Sequence, residues 1–158
     1  MNGVPRAALT ALVLILVILH FVLRVGVGLA WLVPDLLVVA VLLSARHLRG
    51  GAAAGVGFLL GVLEGAVIPD TFGASALVLA VLGYLGSRTR IYVAGYSPVF
   101  LAFYLFAGKW LYDVLLYLVV LADARPGPAS ALLVASFPAA VYAAAAGVLA
   151  YSAYRTLS

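Results

Sequence analysis

Hydrophobic residues make up 67% of this 158-residue chain and charged residues only 9%, with a mean hydropathy of +1.26, whereas a soluble domain is roughly a quarter charged. This composition excludes a water-soluble globule and leaves no mass for a separate catalytic module, so any function sits in the membrane or at its faces. The formal charge of +4 comes from basic residues scattered singly or in pairs at the ends of apolar runs, not from a stripe that would hold nucleic acid, and the absence of Cys removes disulfides, thiolate metal sites and a cysteine nucleophile.

The apolar runs lack the alternation of barrel strands, and lipid otherwise admits only helices. They predict an all-α integral membrane protein: one polytopic domain of six transmembrane helices at about 7–23, 30–45, 52–68, 73–87, 97–121 and 129–154. Before the first, Arg6 leads into an apolar run and Gly28-Leu29-Ala30 has the look of a signal-peptide cleavage site. The run from Ala7 to Leu23 is long for a signal, however, and His20 and Arg24 would precede the cut, so an uncleaved helix is expected. In the second segment Pro34 removes a backbone donor and Asp35 opens the run DLLVVAVLL. A helix starting there rises only about 16 Å, so part of 25–33 must also lie near the bilayer.

The third helix carries a ladder of small residues, Ala53, Gly57, Gly61 and Gly65, with Glu64 beside it. Such a ladder lets another helix approach closely, and Glu64 should accept a hydrogen bond from that neighbour, with Arg24 or Lys109 available to neutralise it. Shorter ladders stand at Ala76 and Ala80 and at Ala139, Ala143 and Gly147; internal packing and a homodimer account for all three equally well. The loop IPDTFG holds Asp70, a carboxylate that water can solvate. The fourth helix is short and is expected to be tilted, broken or partly re-entrant.

Lys109 and Asp113 lie near the middle of the fifth helix, where an isolated charge costs several kcal/mol. Their i,i+4 spacing puts them on one face and lets them pair, with Tyr117 one turn further on adding a hydroxyl. Tyr104, Trp110 and Tyr112 sit inside the same run and are read as packing or groove-lining residues. In the sixth helix Pro138 should introduce a kink.

Orientation follows from the loops. With the N-terminus inside, Arg6, Arg46, Arg49, Arg88, Arg90 and Arg155 are cytoplasmic, while Arg24 and Arg125 lie outside with Asp35, Asp70 and Asp123. The positive-inside rule then places both termini in the cytoplasm.

Several enzyme signatures fail. Gly55-Val56-Gly57 followed by Gly61 imitates a dinucleotide fingerprint but is embedded in a membrane segment and opens no strand-to-helix turn. His20 and His47 fall on opposite sides of the membrane, with no carboxylate at ligand spacing, so neither a metal site nor a cofactor is expected. The serines have no accompanying base, and the chain is read as a non-enzyme.

The order PDLLVVAVLL, then Arg46 to Arg49, GFLLGVLEG, a short loop ending in Phe72-Gly73, and LVLAVLGYLGSR resembles the bacterial rod shape-determining protein MreD family from about Pro34 to Arg90. The residues that carry the likeness are Pro34, Asp35, Phe72, Gly73, Gly83 and Tyr84. Where the family usually has Asp the chain has Glu64, and its loop reads Asp70-Thr71-Phe72-Gly73 instead of a Ser-Pro-Leu-Gly type. The resemblance implies a scaffold of the cell-elongation complex in the bacterial inner membrane. Its partner would be the periplasmic protein MreC, with functional links to MreB and to the synthase pair of RodA and a class B penicillin-binding protein. It also implies a fold like the S component of energy-coupling factor transporters, whose vitamin-binding members are the alternative identification. Ala7 and Ala11 imitate the small-residue motif of that alternative, but the outer loops are too short for its lid. On the scaffold reading, a seam at Gly57, Gly61, Glu64 and Gly65 and a groove at Lys109, Asp113 and Tyr117 would receive a partner's transmembrane helix.

Overall fold

The computed structural model describes residues 6–26, 34–69, 73–89, 97–121 and 129–157. Among these the only regular secondary structure is helix: α1 Arg6–Phe21, α2 Leu36–Ala45, α3 Gly50–Val67, α4 Ala74–Arg88, α5 Pro98–Leu121 and α6 Ala129–Leu157, with a π-helical turn, Val22–Gly26, extending α1. Segments of α3, α5 and α6 are long and apolar enough to cross a membrane; α1, α2 and α4 are apolar but shorter.

Five of the six helices begin and end within about three residues of the boundaries expected from the apolar runs; α2 is the correction. Residues 30–33 lie outside the described residues, and Pro34 and Asp35 are not helical. Pro34 has no N–H to give, and Asp35, at φ −74° and ψ 73°, is the residue before the first helical turn. The resulting ten-residue helix is only about 15 Å long.

That short helix is the centre of the molecule. All ten of its residues are buried, and it touches α1, α3, α4, α5 and α6. A helix apolar on every side has no face to offer water, so it is stable only when surrounded. Leu37, Val39, Leu42 and Leu43 pack with Val78, Leu79 and Leu82 of α4, Leu101 and Leu105 of α5, and Ala143 and Ala144 of α6. The buried hydroxyl of Tyr104 donates to the carbonyl of Leu42 at 3.0 Å, tying α5 to α2. By contrast Trp110, expected to pack inside, is exposed on the outer surface, together with Leu14, Ile15, Ile18, Phe100 and Phe103.

The small-residue ladder of α3 has a partner within the chain. A Cβ added at Gly57 would strike the carbonyl of Leu79, one at Gly61 the Cα of Ala76, and one at Gly83 the carbonyl of Ala53. The two helices run antiparallel with their backbones in contact, so α4 fills the seam expected to receive another subunit. Gly73, with φ of +85°, turns the chain into α4, a conformation that favours glycine. Phe72 lies outside the described residues. Tyr84 is exposed and accepts a hydrogen bond from Arg88 at 2.7 Å. Helix α6 runs through Pro138 without interruption.

Candidate functional site: a buried charge cluster

The short helices end where the polar residues gather. His20 is in the last turn of α1 and Arg24 in the π-helical turn that follows, a deformation often found at functional sites. Asp35 precedes the first turn of α2 and Glu64 is near the end of α3. Lys109, Tyr112 and Asp113 come from the middle of α5. Most are interior: Glu64, Lys109 and Tyr112 are buried, His20 is only 1% exposed, and Asp35 and Asp113 are largely covered, while Arg24 is partly exposed.

Lys109 is the hub. Its ammonium lies 2.6 Å from Asp113 and 2.9 Å from Asp35, and 4.9 Å from the centre of the Tyr112 ring. The i,i+4 pair expected from the sequence is therefore present, but it is one half of a three-member arrangement. Asp35 makes no capping hydrogen bond to the α2 backbone. It stands at the positive end of that helix and gives one oxygen to Lys109 instead. Glu64 forms the second half of the cluster. Arg24 donates to its Oε1 and the Tyr112 hydroxyl to its Oε2, each at 3.3 Å. Of the two cations named for Glu64, Arg24 is the one that reaches it.

The structure thus brings Glu64, Lys109 and Asp113 into one site, joined by Asp35, which the sequence marks only as a motif position. Gly57, Gly61 and Gly65 belong to the buried face of α3, and Tyr117 is half-buried further along α5. The Tyr112 hydroxyl reaches Glu64, and at i+3 from Lys109 Tyr112 also shares its face. At the groove expected there, Lys109 is already engaged by Asp35, at the entry to α2, and by Asp113 of its own helix.

His20 is the second correction. Its lack of a nearby carboxylate in sequence counted against ligation, yet the fold sets Asp35 and Glu64 beside it, with one donor atom from each of the three within 4.8 Å of the others. The His20 Nδ1 is 4.0 Å from Asp35 Oδ1, beyond hydrogen-bond reach, and neither imidazole nitrogen nor that carboxylate oxygen has a hydrogen-bond partner. An imidazole and two carboxylates converging inside the bundle can hold a cation, bridge to one another through water, or pass a proton.

Comparison with protein-family models, curated proteins and solved structures gave no match to this chain.

Proposed function

We propose that this chain is a six-span protein of the bacterial cytoplasmic membrane, both termini cytoplasmic, acting as a non-enzymatic MreD-like scaffold in the cell-elongation complex. One observation carries the reading: the stretches that bear the resemblance build the architecture. Asp35 and Glu64 meet at the cluster, Gly57, Gly61 and Gly83 form the α3–α4 seam, and Gly73 turns the chain between those helices. A likeness confined to composition would fall on arbitrary apolar positions, whereas this one falls where backbone approach and buried charge restrict the choice of residue.

The orientation is supported by the arginines. Arg46 ends α2, Arg49 precedes α3, Arg88 ends α4, and Arg46 stacks over Tyr151 near the end of α6 at 5.7 Å. They gather at the end of the bundle away from the acidic cluster, as a cytoplasmic face requires. The partner is MreC, with MreB and the RodA and penicillin-binding protein pair linked through it. Because α4 closes the seam and Lys109 is engaged, MreC packs on the outer apolar surface, which in its absence meets lipid. Affinity purification of the chain from rod-shaped cells should recover MreC, and depletion should round the cells. Unchanged shape on depletion together with no recovery of MreC would overturn the proposal.

A second reading has its own support in the buried cluster, since an interior histidine with both nitrogens unpartnered suits a ligand better than a scaffold. On that reading the chain is a substrate-binding S component of an energy-coupling factor transporter. Stoichiometric recovery of a vitamin, with uptake that depends on an ATPase module, would select it.

A further inference from the structure

We propose that His20, Asp35 and Glu64 form a binding site for one divalent transition-metal ion, of the class that accepts mixed imidazole and carboxylate ligands. Three observations point there. The donor atoms come from three different elements, α1, the entry to α2, and α3, yet lie within 4.8 Å of one another. The imidazole is 1% exposed with both nitrogens unpartnered, and the Asp35 oxygen facing it is unpartnered too. A buried polar group without a partner costs free energy, so such a pair is explained by something that bonds to both.

The surroundings of the carboxylates are those of metal ligands. Lys109 holds Asp35 by Oδ2, which leaves Oδ1 to face the site. Arg24 and Tyr112 steady Glu64, each through a 3.3 Å contact that leaves its oxygens further capacity. Outer partners that orient ligating groups in this way typically matter 10–100-fold in metal affinity. Charge argues in the same direction. The cluster sets three carboxylates, Asp35, Glu64 and Asp113, against one interior ammonium, Lys109, which pairs with Asp35 and Asp113; two negative charges remain, and the more exposed Arg24, paired with Glu64, offsets one of them. A dication satisfies the interior set without help from Arg24.

Ligands at about 2.1 Å from one ion stand about 3–3.5 Å apart. The present spacings, 4.0 Å between His20 and Asp35 and up to 4.8 Å across the three donor atoms, therefore close by about 1–2 Å when an ion binds, a movement that side-chain rotation supplies. The inference does not depend on the scaffold reading, since a structural ion serves either function.

The test uses the full chain, purified without a histidine tag, stripped with chelator and reconstituted in nanodiscs. Titration with Mn(II) and Zn(II) should show one ion per chain and a raised unfolding temperature. Pulsed electron paramagnetic resonance of the Mn(II) form should detect one coupled imidazole nitrogen. His20→Gln and Glu64→Gln should each weaken binding at least tenfold, and His47→Ala should leave it unchanged. The Mn(II) spectrum needs no variant, so the proposal stays testable if His20→Gln does not fold. No binding by the folded wild-type chain, absence of the nitrogen coupling, or binding that persists in Glu64→Gln or depends on His47 would overturn it.

Discussion

Replacing Lys109 by Met removes the one ammonium shared by two carboxylates, 2.9 Å from Asp35 and 2.6 Å from Asp113. Met keeps the length and apolar stem, so the change is chiefly one of charge. Removing one partner of a buried ion pair typically costs 3–5 kcal/mol because the remaining charge is uncompensated. Here two carboxylates are left, and the loss should lie at the upper end, about 5 kcal/mol. Asp113→Asn should be milder, because Lys109 keeps Asp35; losing one charged hydrogen bond is worth about 1.5–3 kcal/mol. The informative variant is the double, Lys109→Met with Asp113→Asn. For an isolated pair it would restore most of the stability, but in this arrangement Asp35 stays uncompensated and the double should remain well below wild type. Adding Asp35→Asn should recover much of the loss. The assay is equilibrium unfolding in mixed micelles of all four variants and wild type in one buffer. Recovery already in the double, or equal costs for Lys109→Met and Asp113→Asn, would refute the role given to Asp35.

Gly61→Leu puts a side chain into the backbone of α4 at Ala76 and should cost at least about 1–3 kcal/mol, seen as a lower unfolding temperature; an unchanged temperature would show that α4 does not fill the seam. Leu42→Ala opens a cavity beside the central helix where the side chain is 1% exposed, and the expected loss is about 2–5 kcal/mol by the same unfolding measurement. Tyr104→Phe removes the hydroxyl that donates to the Leu42 carbonyl and should cost about 1 kcal/mol, much less than Leu42→Ala; a neutral result would place that hydroxyl outside the buried contact. Reporter fusions at Ser158 and in the loop from Asp123 to Ala129 should report opposite sides of the membrane, and a periplasmic C-terminus would end the six-span reading.

The sequence by itself determined that the chain is helical, with runs apolar enough to cross a membrane, and roughly where five of the six helices lie. Those properties are local: a run of apolar residues, a proline that cannot donate at position 34, and glycines and arginines between runs act through their immediate neighbours. The Lys109 and Asp113 contact was readable for the same reason, since i,i+4 spacing fixes a shared face within one helix. The tertiary structure decided what each face meets. A ladder such as Gly57 and Gly61 announces close approach but not by which helix, and the answer is α4 of the same chain. Asp35 and His20 are fifteen positions apart in sequence, and Glu64 is further still, so their convergence depends on the order and rotation of α1, α2 and α3 about one another. Tyr112 and Tyr117 both lie near the Lys109 face, and only the position of Glu64 on the neighbouring helix selects Tyr112. Helical periodicity determines which residues point the same way; packing of one helix against the next determines what they point at.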